Sequence, residues 1–196
     1  LPFLDMQRES NPSLGLRGIR FLMEHQDLLY TQLEALLQLS SDHDLHILVP
    51  MVTLGRDMRA VKEALRETAA RAKTSGLPEL GAMIETPAAA LAACEIVKHA
   101  SFLSFGTNDL TQYSFAADRE NGAVDAYFDD THDVIFRLIS MVHTDVPDAP
   151  LSVCGELAGR VEATSRLMDC GITSLSVAPP IIPEVKEAVR NCSSAS

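Results

Sequence analysis

Apolar residues along the chain fall into two recurring patterns. Five short runs are almost wholly apolar: His46-Ile47-Leu48-Val49-Pro50, Gly81-Ala82-Met83-Ile84-Glu85, Phe102-Leu103-Ser104-Phe105-Gly106, Leu151-Ser152-Val153-Cys154-Gly155 and Ser174-Leu175-Ser176-Val177-Ala178. They are continuous rather than strictly alternating, the pattern of parallel strands buried on both faces. Between them, apolar positions return every three or four residues, with charged residues on the opposite face. Met58, Val61, Leu65, Ala69 and Ala72 form one such stripe, Val134, Leu138 and Met141 a second, and Val161, Ser165 and Met168 a third. Each predicts an amphipathic helix packed on a core. Pro183 stands in the first turn of a predicted last helix, where its missing N–H costs nothing. The chain therefore predicts βαβαβαβαβα after an opening helical stretch from about Gly15 to Leu39.

The five strand starts, at 46, 81, 102, 151 and 174, lie (174 − 46)/4 = 32 residues apart on average. A (β/α)8 barrel spends roughly 31 residues per unit. A doubly wound open sheet also alternates β and α, so spacing alone does not choose between them. No GxGxxG or GxxxxGK[ST] loop follows any strand, which removes the usual nucleotide-binding forms of the open sheet. The Asp- and Gly-rich stretch from Arg119 to Asp130 is predicted as a loop, and residues 192–196 as a frayed tail.

In such folds the reactive groups sit at the carboxyl ends of the strands. Those ends read Pro50, then Glu85-Thr86-Pro87, then Thr107-Asn108-Asp109, then Cys154-Gly155-Glu156. Glu85 and Asp109, on neighbouring strand ends, have the chemistry to share a hard cation such as Mg²⁺ with waters and a substrate oxygen. The competing reading makes Glu85 the cap of a helix starting near Pro87 and Asp109 the cap of a short turn. Arg17 and Arg119 are candidates for anion recognition, since guanidinium groups hold phosphate or carboxylate bidentately; an arginine taken singly is more often a solvated surface charge. Cys154 is open to three readings: nucleophile, proton donor or packed small side chain. The histidines form no spaced ligand set and read as surface or cap residues.

Composition narrows the partners. The 196 residues carry 16 Lys+Arg against 27 Asp+Glu, a formal net charge of −11. That balance argues against sequence-independent nucleic-acid binding, which needs clustered cations. No apolar run approaches the ~20 residues of a membrane span. Four cysteines without CxxC or zinc spacing fit free thiols in a reducing cytoplasm. The chain opens on Leu1 rather than Met and is expected to be a piece of something longer.

Four ordered segments carry a resemblance: Asn11-Pro12-Ser13-Leu14-Gly15-Leu16-Arg17-Gly18-Ile19-Arg20, Gly81-Ala82-Met83-Ile84-Glu85-Thr86-Pro87-Ala88-Ala89, Ser104-Phe105-Gly106-Thr107-Asn108-Asp109-Leu110-Thr111-Gln112-Tyr113 and Cys154-Gly155-Glu156-Leu157-Ala158-Gly159. They resemble the phosphoenolpyruvate-utilising enzymes, and among these most closely Enzyme I of the bacterial phosphotransferase system. Ala117-Asp118-Arg119-Glu120-Asn121 and the stretch from Tyr127 to Leu138 look like Enzyme I rather than pyruvate phosphate dikinase. The resemblance runs from Asn11 to about Arg190. It implies an α/β fold, a partial (β/α)8 TIM barrel forming the C-terminal part of a phosphoenolpyruvate-binding domain over 1–196. It implies Mg²⁺ held by Glu85 and Asp109, substrate phosphate held by Arg17, Asn108 and Arg119, and Cys154 as the acid that protonates the enolate. The implied activity is phosphoenolpyruvate–protein phosphotransfer with release of pyruvate. The implied partners are the phosphocarrier protein HPr or a nitrogen-type homologue, and a second copy of the parent protein.

The departures set further expectations. Five strands leave three βα units, roughly 90 residues at ~31 each, unaccounted for. The family's earlier phosphate-binding arginine and its phosphoryl-accepting histidine domain are not in this chain, so the chain alone is expected to be inactive. Arg160 stands where the family usually has an acidic residue, and reads as surface variation. Two alternatives remain: a piece of a phosphoenolpyruvate synthase or dikinase, and a non-catalytic dimerisation or phosphoenolpyruvate-sensing module.

Overall fold

A computed structural model describes residues 9–74 and 76–193. After a short 3-10 turn at Pro12–Leu14 come α1 (Ile19–Glu24) and α2 (Gln26–Ser40), then β1 (His46–Val49) and α3 (Gly55–Ala72). β2 (Glu79–Ile84) leads into the short helices α4 (Pro87–Leu91) and α5 (Ala93–Ile96), and β3 (Phe102–Gly106) into α6 (Thr107–Phe115). α7 (Asp133–Asp145), β4 (Leu151–Cys154), α8 (Thr164–Asp169), β5 (Ser174–Leu175) and α9 (Ile182–Ser193) complete the order. All strand pairs are parallel and follow chain order, β1-β2-β3-β4-β5, with β1 and β5 at the edges. This is an arc of a (β/α) barrel, with every crossover placing its helix on one side of the sheet.

The strands do not bury both faces equally. Ile47, Val49, Leu80, Ala82, Ile84, Leu103, Phe105, Leu151 and Val153 are buried beneath the helices. The other face carries Met83, Ser104 and Ser152 in one register row and Gly106 and Cys154 in the next. The period-2 pleat thus puts a mixed set on the other side, Leu48, Met83 and Phe102 together with Ser104, Ser152, Gly106 and Cys154, where the sequence alone predicted apolar burial on both sides. β5 is also shorter than predicted. Only Ser176 continues its ladder, donating to the Val153 carbonyl at 2.9 Å, before Pro179 opens a 3-10 turn.

The helical face of α3 is as the pattern requires for Met58, Val61, Leu65 and Ala69, whereas Ala72 is exposed at its end. Two stripes are displaced. On α7 the buried residues are Ile135, Phe136, Ile139 and Val142, while Val134, Leu138 and Met141 are half-buried along an outer groove. Around α8 they are Ala163, Thr164, Leu167 and Cys170 rather than Val161, Ser165 and Met168. Helices apolar on more than one stripe leave the inward face to be chosen by their neighbours, and α7 packs on α4, α5 and α6. The opening stretch is two helices broken at His25, and Gly15 to Gly18 is a loop. Of the predicted tail, Cys192 and Ser193 belong to α9, and residues 194–196 lie outside the described residues. All four cysteines are free.

Candidate functional site

The carboxyl ends of β1 to β4 meet at one rim, and the loop before α1 folds over it. Gly18 takes φ +53°, and a Cβ there would lie 2.7 Å from the Met51 Cβ, so only glycine lets this loop close on the end of β1. The Ile19 N–H donates to the Pro50 carbonyl at 3.1 Å and pins the same approach. Arg17 is thereby held above the N-terminus of α6.

There the Arg17 fork meets Asp109 bidentately, Nη1 to Oδ1 at 3.0 Å and Nη2 to Oδ2 at 2.9 Å. Nη1 also donates to the Tyr113 hydroxyl at 2.9 Å, and that hydroxyl donates to the Ser13 carbonyl. Asp109 and Tyr113 are four residues apart on α6, one turn along the same face. The guanidinium of Arg17 is held further above its ordinary range, its desolvation outweighed by the bonds and charge of Asp109. Asp109 also lies in the first turn of α6, where the helix N-terminus favours negative charge.

Glu85 extends β2 into the same space. Its Oε1 accepts the Met51 N–H at 2.5 Å, and Met51 adopts a left-handed φ of +57° to aim that donor inward. Burial pushes the Glu85 carboxyl up to about 7, with the negative charge of Asp109 adding to the shift and the Met51 N–H and Arg17 opposing it. Glu85 and Asp109 therefore lie close enough for the charge of Asp109 to help raise the Glu85 carboxyl. Neither acts as the cap that the competing reading required. Thr86 caps α4, accepting from the Ala89 N–H at 3.1 Å, and Asp109 is spent on Arg17. Two converging hard oxygen donors suit a cation that takes few protein ligands and completes its shell with water and substrate. Among the described residues no group of three or more His, Cys, Asp or Glu side chains is placed to hold a metal.

Asn108 and Cys154 occupy the β3–β4 side of the rim. The Asn108 Oδ1 accepts the Glu156 N–H at 2.9 Å, which turns its amide N–H donors away from that loop. Gly155 takes φ +93°, with Thr107 Oγ1 2.6 Å and Asn108 Oδ1 2.8 Å from where a Cβ would stand. Cys154 is half-buried. Its thiol donates to the Phe105 carbonyl at 3.4 Å and receives the Ser104 hydroxyl at 3.8 Å. Desolvation pushes this thiol further up, the Ser104 hydrogen bond opposing and the charge of Glu85 adding, so it is protonated at neutral pH.

Arg17, Glu85, Asn108, Asp109 and Cys154 are thus brought to one rim. Arg119 lies on the loop beside this rim: its N–H donates to Gln112 Oε1 at 3.1 Å, Gln112 lines the adjoining cavity, and the Arg119 side chain is exposed. Sequence reasoning missed Tyr113, Met51 and Ser104. Tyr113 was findable from its four-residue spacing to Asp109, and Ser104 from sharing a strand face with Gly106. Nothing in the sequence marked Met51. Arg160 is not loose surface variation, because its Nε and Nη2 each lie 3.0 Å from the carboxylate of buried Asp130. That pair ties the loop after Cys154 to the end of the loop carrying Arg119. A cavity of about 540 Å³ opens beside the rim, lined among others by Ser13, Arg20, Met51, Thr86, Gln112 and Tyr113. Among the described residues no helix is long and apolar enough to cross a membrane.

Comparison with known proteins gives a consistent picture. Residues 1–194 match the family model described as PEP-utilising enzyme, PEP-binding domain, where PEP is phosphoenolpyruvate. A phosphoenolpyruvate-protein phosphotransferase of Buchnera aphidicola (subsp. Acyrthosiphon pisum) is 36% identical over 205 aligned positions, covering 100% of this chain and 36% of that protein. A phosphoenolpyruvate-protein phosphotransferase of Haloferax volcanii is 38% identical, again covering 100% of this chain and 36% of that protein. A multiphosphoryl transfer protein of Xanthomonas campestris pv. campestris is 40% identical over 95% of this chain and 23% of its own length. The chain therefore spans about a third or less of the curated relatives it matches. Among solved structures, a citrate lyase from Burkholderia xenovorans superposes with a TM-score of 0.63 at 14% identity, covering 81% of this chain and 53% of that chain. That likeness supports the barrel-type fold alone.

Proposed function

The chain belongs to the PEP-utilising enzymes through their PEP-binding domain, and from that premise we propose that it is the C-terminal, phosphoenolpyruvate-binding part of a phosphoenolpyruvate–protein phosphotransferase. The observation that carries the proposal is the rim itself. One guanidinium, two neighbouring carboxyls, an amide oriented by the Glu156 N–H and a protonated thiol come together at the carboxyl ends of neighbouring strands. In this reading Arg17, Asn108 and Arg119 hold the phosphate, whose charge suits guanidinium forks and amide donors. Mg²⁺ between Glu85 and Asp109 would supply charge neutralisation for the departing phosphoryl group. Cys154 Sγ holds the proton that the enolate takes up at its methylene carbon, yielding pyruvate and leaving a thiolate beside the Ser104 hydroxyl. The phosphoryl group goes to a histidine on another part of the parent protein and on to a phosphocarrier protein of the HPr or nitrogen type. A second copy of the parent is the proposed assembly partner.

Isothermal titration of the chain with phosphoenolpyruvate tests the reading. Saturable binding that requires Mg²⁺ and is lost in Asp109→Asn is expected. Heat release identical in wild type and variant, or none at all with both ligands present, refutes it. Mass spectrometry after incubation with phosphoenolpyruvate should find no phosphohistidine on this chain.

A further inference from the structure

Asp109 has both carboxylate oxygens committed to Arg17, at 3.0 and 2.9 Å, and its side chain is only 9% exposed. The guanidinium charge thus sits against both oxygens that a second cation would have to approach. Arg17 is less confined, with its side chain 29% exposed and its further acceptors among the described residues being the Tyr113 hydroxyl at 2.9 Å and the Ser13 carbonyl at 3.4 Å. Its backbone, by contrast, is anchored through Gly18 against Met51 and through Ile19 on Pro50.

We propose that Arg17 is an exchangeable counter-ion. In the metal-free chain it neutralises Asp109, and an incoming phosphate-bearing anion draws the guanidinium off the carboxylate and opens Asp109 to a divalent cation. Three steps of chemistry support the exchange. Phosphate oxygens offer the fork the same bidentate geometry as a carboxylate, with more charge. A divalent cation on Asp109 repels a guanidinium held against the same oxygens, so the two cations compete. Moving Arg17 onto the anion turns that competition into cooperation. By linkage, the factor by which the anion tightens the cation equals the factor by which the cation tightens the anion. The device keeps the carboxylates from trapping a cation before substrate arrives. It rests on the assignment of Glu85, Asp109 and Arg17 under the proposed function, and its test separates the two.

Mn²⁺ is titrated into the chain, with free Mn²⁺ read by electron paramagnetic resonance, with and without saturating phosphoenolpyruvate. No turnover is needed. In wild type the anion should tighten Mn²⁺ at least about tenfold. Arg17→Met should bind Mn²⁺ at least about tenfold more tightly than wild type when no anion is present, the size expected for removing a competing charge-assisted pair. Tyr113→Phe keeps the ring but removes one of Arg17's acceptors, and should move anion-free Mn²⁺ affinity the same way by a smaller factor. It carries the test if Arg17→Met does not fold. Asp109→Asn should abolish the Mn²⁺ response in every background. Equal anion-free affinity in wild type, Arg17→Met and Tyr113→Phe overturns the exchange while leaving the metal site standing. Tightening that survives Asp109→Asn also overturns it, by placing Mn²⁺ elsewhere. Absence of Mn²⁺ binding in wild type with the anion present sinks the site assignment itself.

Discussion

Glu85→Gln should stabilise the metal-free chain in alkaline solution and leave it unchanged in acid. Glu85 is 5% exposed, and burial is the largest cause of its rise from an ordinary 4.5 to about 7. A carboxyl whose folded value is raised contributes its stability below the unfolded value, here about 4.5, and loses it as pH climbs through about 7. Above that, the ionised buried form costs the fold about 3 kcal/mol, at ~1.4 kcal/mol per pH unit. Gln is nearly isosteric, and its Oε1 can still accept the Met51 N–H, so the substitution removes the charge without removing the bond. For a chain of this size, 3 kcal/mol corresponds to a Tm higher by about 6–12 °C. The assay is thermal unfolding followed by circular dichroism, with a chelator present, from pH 4 to pH 8. Glu85→Gln should match wild type near pH 4, and the gap should open across pH 4.5 to 7. Adding Mg²⁺ with phosphoenolpyruvate at pH 8 should raise the wild-type Tm and leave the variant where it was. A variant less stable than wild type at pH 8, or a gap that does not vary with pH, refutes the argument that desolvated charge dominates at this position.

Three further outcomes follow from the same geometry. In the complete parent protein, Cys154→Ala should slow pyruvate formation strongly with little change in phosphoenolpyruvate affinity, measured by separate kcat and binding determinations, while Cys94→Ala, on an exposed site against the Asp145 carbonyl, should be silent. Arg160→Met leaves the carboxylate of Asp130, 5% exposed, without its bidentate partner, and chemical denaturation should report a loss of about 1–3 kcal/mol. Gly155→Ala must place a Cβ 2.6 Å from Thr107 Oγ1 at φ +93°, so calorimetry should show weakened phosphoenolpyruvate binding together with about 1–3 kcal/mol of destabilisation.

The candidate site was readable in part because barrel chemistry collects at strand ends. Reading the residues after each apolar run found Glu85, Asn108, Asp109 and Cys154 without any knowledge of their contacts. The side chains that orient them were harder to see. Met51 acts through a backbone N–H, which every residue but proline has, and only its left-handed φ of +57° sets it apart. Arg17 was singled out for anions, yet its partner in the structure is a carboxylate 92 residues away. Arg160 looked like surface variation because Asp130, its partner, lies 30 residues earlier in a loop with no periodic pattern.

The sequence by itself determined the element order, the parallel α/β class and the rim on which the candidate residues lie. Those follow from local causes: the length of apolar runs, helical periodicity, and glycines and prolines at the ends of elements. What only the tertiary structure decided is which face of each element turns inward. α7 carries apolar residues on more than one stripe, and contact with α4, α5 and α6 selected Ile135, Phe136, Ile139 and Val142 over Val134, Leu138 and Met141. The strands hide one face under helices and leave the other lined by Met83, Ser104, Ser152 and Cys154, a difference that continuous apolar runs do not encode. The same holds for charge. Glu85, Asp109 and Arg17 are each ordinary ionisable residues in the sequence; the raised proton affinities of Glu85 and Arg17, and the pairing of Arg17 with Asp109, exist only because parallel register and the Gly18 turn bring the three together.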